Sequence, residues 1–165
     1  MVEKSRPVEY SVYIVCDSGA KGMFSGTYYN TLDPKGRIII PVKFREELGE
    51  SFMVTRGLDG CLFVFTMTAW KAFVDKIDDI PMSEDAGRAF TRYFFAGAEE
   101  CKLDRQGRLN IPQKLIDFAH IGRDVVTIGV NKRVELWSRE VWEDYTSAPE
   151  FDEANIAENM KKLGI

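Results

Sequence analysis

Two arginines, each directly after a glycine and four residues after an aspartate, are the side chains in this sequence best placed to do chemistry. Residues 32–41 read LDPKGRIIIP and residues 103–112 read LDRQGRLNIP, so Asp33, Gly36 and Arg37 recur as Asp104, Gly107 and Arg108 at a constant offset of 71. A guanidinium carries five N–H donors in a planar fork, enough to hold a carboxylate on one edge and offer the other to a phosphate or a guanine. The chemistry this suggests is recognition of charge and hydrogen-bond pattern, not bond making. Lys35 and Arg105 sit inside the same turns, and Arg45 and Arg56 add positive charge nearby. Several cations converging on one face, twice per chain, make a patch for polyanions.

Part of each motif is explained by the turn itself. In Asp33-Pro34-Lys35-Gly36 the aspartate takes the first position of a type I turn and accepts backbone N–H groups, Pro34 presets φ at the second, and Gly36 takes the left-handed conformation at the fourth. The second copy keeps Asp104 and Gly107 and exchanges the proline for Arg105, which a type I turn accepts. The flanking strands, with Arg37 and Arg108 leading into 38–40 and 109–111, are expected to pair as hairpins closed by a glycine bulge. Asp33, Gly36, Asp104 and Gly107 are thus turn-forming, and the two arginines are left over. They brace their own aspartates or bind a ligand, and one guanidinium can do both. Gln106 stands where the first copy has Lys35. The first turn, stiffened by its proline, is therefore expected to contribute more to binding.

The likeness between the copies continues beyond the motif. Residues 42–49 and 113–122 read as short helices, 52–55 and 125–128 as strands, 57–60 and 129–132 as turns, and 62–65 and 134–137 as returning strands. A helix follows in each copy, Trp70 matching Trp142 and Phe73 matching Tyr145. Trp70, Phe73, Val74 and Ile77 share one helical face and read as core. Between the copies, Ser83 is expected to cap a helix reaching Ala98, with Phe90, Phe94 and Phe95 on its apolar face. The organisation that follows is an N-terminal extension at 1–22 with a strand candidate at 10–16, a first half at 23–82, a connecting helix at 83–98, a second half at 99–146, and an acidic tail or helix at 147–165. The fold class is α+β, two halves related by a pseudo-two-fold axis around one core, since 165 residues support one ordinary domain.

Composition removes several classes of function. With 45% apolar and 29% charged residues the sequence is that of a folded protein. No apolar run reaches the length of a membrane span or a signal-peptide core, so the cytoplasm is the default compartment. Cys16, Cys61 and Cys101 are separated, lack CxxC spacing and read as buried or free thiols, and the single histidine, His120, reads as a helix-end or surface residue. Neither a cofactor nor a metal site is indicated. The symmetric Asp33 and Asp104 would suit a proton-sharing acid dyad, but Pro34-Lys35 and Arg105-Gln106 follow them where such enzymes carry Thr/Ser-Gly. The chain is read as no enzyme. The net charge of −4 is concentrated at one end: residues 139–165 hold three Lys/Arg against seven Asp/Glu, leaving nineteen of each sign in residues 1–138. A neutral body still accommodates a local basic patch.

The stretches MFSGTYYNTLDPKGRIIIPVKFREELG, TRGLDGCLFVF, GRAFTRYFFAGAEE and LDRQGRLNIP together resemble the MraZ family of bacterial transcriptional regulators, over about residues 23–145. The resemblance implies a fold similar to AbrB swapped-hairpin barrels: a pseudo-two-fold barrel of two DxxGR-bearing β-hairpin halves with peripheral helices. It implies a ring-shaped homo-oligomer, an octamer or larger, that binds short direct repeats in double-stranded DNA upstream of a division and cell-wall gene cluster, chiefly repressing its own operon. DNA contact would fall to Arg37 and Arg108, with Lys35 and Arg105 as neighbours. The protein would then work at the nucleoid, with no membrane or small-molecule substrate. The alternative is a ring-forming protein-interaction module whose acidic tail meets a protein partner and whose arginines are braces only.

Overall fold

The runs at 62–65 and 125–128 carry no charged residue and a single hydroxyl, at Thr127, the pattern of strands covered on both sides, and they form the middle layer of the protein. The computed structural model describes residues 23–165; the extension at 1–22, with its strand candidate at 10–16 and Cys16, lies outside the described residues. The strands are β1 (Phe24–Thr31), β2 (Arg37–Ile39), β3 (Phe52–Arg56), β4 (Leu62–Thr66), β5 (Glu99–Cys101), β6 (Arg108–Asn110), β7 (Asp124–Asn131) and β8 (Arg133–Ser138). The helices are α1 (Val42–Leu48), α2 (Met67–Asp78), α3 (Asp85–Gly97), α4 (Gln113–Phe118), α5 (Arg139–Ser147) and α6 (Glu153–Leu163), with a 3-10 turn at Pro149–Phe151. The class is α+β with antiparallel pairing. Among the described residues no helix is long and apolar enough to cross a membrane.

Six strands form one sheet in the order β1-β7-β8-β4-β3-β5, and β2 with β6 forms a separate two-stranded ribbon. This order maps onto itself when the sequence copies are exchanged: β1 becomes β5, β7 becomes β3 and β8 becomes β4. The register carries the same symmetry. Asn30 pairs with Val125 as Cys101 pairs with Phe52, and Phe63 pairs with its repeat counterpart Glu135 at the centre of the sheet. In the ribbon Ile38 pairs with its counterpart Leu109. A pseudo-two-fold axis therefore passes through both pairs.

The strands on either side of each turn do not form the expected hairpins. Both turns form, but β1 joins β7 of the second copy, and β2 joins β6. A sequence repeat does not distinguish pairing within a copy from pairing between copies, because both bury the same faces. Each copy gives its first strand to the hairpin of the other, and both copies close around shared packing.

Alternation along the strands sorts side chains to the two faces of the sheet. On one side Phe52, Val54, Leu62, Val64, Val134 and Leu136 pack with Ile38, Ile40, Leu109 and Ile111 around the ribbon and with Phe44 and Leu115 of α1 and α4. On the other, Phe63, Phe65, Val126, Ile128 and Trp137 pack with Trp70 and Phe94 of α2 and α3. The expected stripe on α2 turns inward, with Trp70 and Ile77 buried. Two clusters stand where one core was expected because the sheet is covered on both faces and separates them.

Three local expectations shift. Ser83 does not cap α3: the Glu84 N–H donates to Pro81 O at 3.1 Å, so Ser83 lies inside a tight turn and Glu84 precedes the helix. Gly129 is strand, not turn, because β1 runs so close to it that a Cβ would collide with the backbone at Phe24 and Ser25. The reversal falls instead at 131–132, where Asn131 adopts a φ of 58°. The acidic C terminus forms α6, exposed along its whole length.

Candidate nucleic-acid interface

The two turns are built alike, bond for bond. In the first, the Gly36 N–H donates to Asp33 O at 3.0 Å and the Asp33 N–H to Arg37 O at 2.9 Å, with Gly36 at a φ of 77°. The carboxylate then organises the loop: Asp33 Oδ1 accepts the N–H groups of Lys35 and Arg37, both at 2.9 Å, and Oδ2 accepts Arg37 Nε at 2.6 Å. In the second, Asp104 Oδ1 accepts the N–H groups of Gln106 and Arg108 at 2.9 Å and Oδ2 accepts Arg108 Nε at 2.7 Å, with Gly107 at a φ of 75°. At Asp33 partial burial pushes the carboxyl up, but the Arg37 N–H, the Arg37 guanidinium and the Lys35 N–H together hold it below its ordinary 3.8. At Asp104 the Arg108 N–H is the largest influence, and with the Arg108 guanidinium and the Gln106 N–H it outweighs the opposing burial. The brace therefore exists in both copies, and it engages only Nε. The terminal nitrogens of both guanidinium groups take no hydrogen bond among the described residues.

The ribbon sets the spacing of the two arginines. Arg37 lies opposite Asn110 and Ile39 opposite Arg108, so the turns leave from opposite ends and the arginines are diagonal neighbours at roughly 7–8 Å. Ile38 and Leu109 are fully buried, and alternation puts Arg37, Ile39, Arg108 and Asn110 together on the outer face. Sequence reasoning reached the arginines and missed Ile39 and Asn110. Only the register between copies places them beside the arginines, although alternation with the buried Ile38 and Leu109 was a usable signal.

The other candidates divide. Lys35 and Arg105 are exposed on the turns and form no ion pair among the described residues. Arg45 is half-buried: its Nε donates to Ile40 O at 2.7 Å, and its guanidinium lies on Gly107, so the first copy brings this cation to the second turn. Its repeat counterpart, Ile116, lies over Gly36. Arg56 is carried away from the turns, its guanidinium 5.6 Å from the Tyr93 ring centre and 5.7 Å from that of Phe118, a stacked cation within the packing. A cation that sequence reasoning missed, Arg123, lines a groove of about 640 Å³ beside the first turn with Leu32, Asp33 and Pro34, and its carbonyl accepts the Leu32 N–H at 2.7 Å.

The geometry does not assemble an acid dyad. Asp33 and Asp104 sit at opposite ends of the ribbon, each bound to its own arginine. His120 is exposed just past α4 with a φ of 52°. Burial, with Glu135 adding, pushes the Cys61 thiol far up, and burial with Glu99 and Glu100 raises Cys101 to about 11. Both are therefore protonated at neutral pH and poor nucleophiles. No metal-ligating cluster of His, Cys, Asp and Glu occurs among the described residues.

The repeat is also what comparison with known proteins detects. A family model described as "MraZ protein, putative antitoxin-like" matches the chain twice, at residues 23–93 and 94–163. Curated proteins named "Transcriptional regulator MraZ" align over 143 residues, 87% of this chain and the full length of each relative. Identity is 50% to that of Caldanaerobacter subterraneus, 51% to that of Clostridium tetani and 47% to that of Desulfitobacterium hafniense.

Proposed function

The chain belongs to the MraZ family, a family of transcriptional regulators and not of enzymes, and from that premise we propose that it binds double-stranded DNA with the outer face of the β2–β6 ribbon and so represses its own operon. The observation that carries this reading is the pair of braced arginines. Each is held by its aspartate through Nε, which leaves the far edge of the guanidinium unengaged and already oriented. The major groove, about 12 Å wide, admits a two-stranded ribbon, and an arginine there can bind guanine O6 and N7 together. Lys35, Arg105, Arg45 and Arg123 stand around the two turns, where the phosphates flanking a groove would meet them.

The strand exchange between copies fits the swapped-hairpin pattern of an AbrB-like barrel, with halves at 23–82 and 99–146 joined by 83–98. We propose further that the protein acts as a ring of eight or more subunits on direct repeats upstream of division and cell-wall genes, in the cytoplasm at the nucleoid. Two features favour self-association. Ile156, Met160 and Leu163 form a stripe on α6 that is 42%, 44% and 76% exposed, with nothing among the described residues covering it. A body with so little net positive charge also needs many weak contacts engaged at once to hold DNA.

The test is fluorescence anisotropy with a labelled duplex from upstream of the protein's own gene, carrying its repeats. Wild-type protein binds with an affinity that falls steeply with salt. The double variant R37A/R108A binds about 1,000-fold more weakly, taking the loss at each arginine as about 2 kcal/mol, the middle of the range for a bidentate base contact, and elutes unchanged from a sizing column. R37A alone is the more damaging of the two single variants. Undiminished binding by the double variant would sink the assignment and favour the protein-interaction alternative.

A further inference from the structure

We infer that the ribbon reads DNA asymmetrically, with Asn110 taking an adenine beside the base bound by Arg37 and Ile39 taking a thymine methyl beside the base bound by Arg108. The inference rests on the DNA-binding reading above and names the bases that the same face selects. Under the pseudo-two-fold register, positions 39 and 110 are equivalent: Ile39 faces Arg108 as Asn110 faces Arg37. The arginines are the same at both corners and their neighbours are not. Identical corners would suit a palindrome, whereas an amide at one corner and a branched alkyl group at the other give the face a direction, as a direct repeat requires.

Each neighbour is presented for contact. Ile39 is 50% exposed although Ile38 and Ile40 on either side are fully buried, which leaves an isoleucine standing in the middle of a basic face. Its backbone is fixed from below by Asn30, whose Nδ2 donates to Ile39 O at 2.7 Å. Asn110 is exposed, and its Oδ1 lies 3.6 Å from where a Cβ on Gly36 would stand, so its amide rests against the first turn. That amide makes no hydrogen bond among the described residues, and its donor and acceptor remain available together. Adenine offers the matching acceptor and donor at N7 and N6 in the major groove, and thymine alone offers a methyl group there. Directly opposed residues on paired strands stand about 5 Å apart, a spacing that serves neighbouring base pairs stacked about 3.4 Å apart.

The experiment selects sites from a duplex library with a randomised core, using the full chain and the variants N110A and I39A, and then measures binding to the selected duplex with single-atom base analogues. Wild-type protein is expected to recover two guanine positions, one with an adjacent adenine and the other with an adjacent thymine. Replacing that adenine by 7-deazaadenine weakens wild-type binding by about 5-fold or more and leaves N110A binding unchanged. Replacing that thymine by uracil, which removes only the methyl, weakens wild type by about 4-fold and leaves I39A unchanged. Variants that weaken every sequence equally, or that keep the wild-type response to both analogues, would overturn the inference while leaving DNA binding intact. A wild-type protein that selects no sequence at all would overturn the DNA-binding reading instead. Because the analogue measurements are made first on unaltered protein, they do not depend on how the variants fold.

Discussion

Gly36 and Gly107 hold the same place in two copies of one turn, at φ values of 77° and 75°, yet alanine is expected to cost more at the second. The shared part is the left-handed backbone, about 1 kcal/mol for alanine relative to glycine. The difference lies in what a Cβ meets. At Gly36 the nearest atom is Ile116 Cδ1 at 3.4 Å, an ordinary contact, whereas at Gly107 the Cβ falls on the Arg45 guanidinium. Arg45 ends a flexible side chain and can swing aside, but it then gives up its hydrogen bond to Ile40 O at 2.7 Å. A half-buried hydrogen bond from a charged donor contributes about 1.5 kcal/mol. G36A is therefore expected to cost about 1 kcal/mol and G107A about 2.5 kcal/mol. In an R45A background the cost of G107A returns to about 1 kcal/mol, a coupling of about 1.5 kcal/mol across the cycle. Denaturant unfolding of wild type, both glycine variants, R45A and R45A/G107A measures every leg. Equal costs at the two glycines, or a penalty at Gly107 that survives the loss of Arg45, would refute the reasoning that the first copy holds the second turn from outside.

Two other predictions concern stability. Thr127 is fully buried with no partner for its hydroxyl among the described residues, and its repeat counterpart, Val54, is buried in the same packing; T127V is expected to stabilise by about 1 kcal/mol, read as a melting midpoint about 2–4 °C higher, and a lower midpoint would refute the unpartnered hydroxyl. Asp33 and Asp104 titrate below 3.8 in the folded protein, so their charged forms add stability that is present above that value and lost as pH falls through the folded values. The difference in melting midpoint between wild type and D33N/D104N should accordingly be constant near neutrality and shrink below pH 3.8; a gap that widens on acidification would contradict the assigned direction.

The local parts of this fold were legible because they rest on short-range chemistry. Asp, Gly and the residues between them specify a type I turn wherever the chain goes next, and the spacing of Trp70, Phe73, Val74 and Ile77 specifies a helix face whatever it packs against. The strand partners were not legible. Phe24–Thr31 would bury its inward side chains equally well beside its own copy or beside β7, and only the assembled sheet selects β7. The candidate site divides along the same line. Arg37 and Arg108 were found from a motif, while Ile39, Asn110 and Arg123 reach them only through pairing between copies. Arg45 and Arg56 looked equivalent as nearby cations, and the fold puts one on a turn and the other against a pair of aromatic rings.

The exchange of strands inside one chain also explains why the two copies have been free to differ. If two separate identical chains built this sheet, the residue on the axis would face itself, and a buried glutamate there would face a second one. Two carboxylates forced together out of water do not both stay charged without a large penalty. In the joined chain Glu135, 7% exposed, faces Phe63 instead. It is held by Arg133 Nε and Nη2 at 3.0 and 2.8 Å and by Trp137 Nε1 at 3.0 Å, while the Arg133 guanidinium lies 4.4 Å from the centre of the Phe63 ring. That arrangement requires different residues at equivalent positions, which two copies joined in one chain can supply and two identical chains cannot. The same freedom acts on the outer ribbon, where aspartate and glycine stay identical because each turn needs both, and each aspartate braces an arginine of the proposed DNA contact. Ile39 and Asn110, which no turn needs, have diverged. On the proposed DNA face the conserved geometry thus sets where the protein touches, and the divergent pair sets which way along the duplex it points.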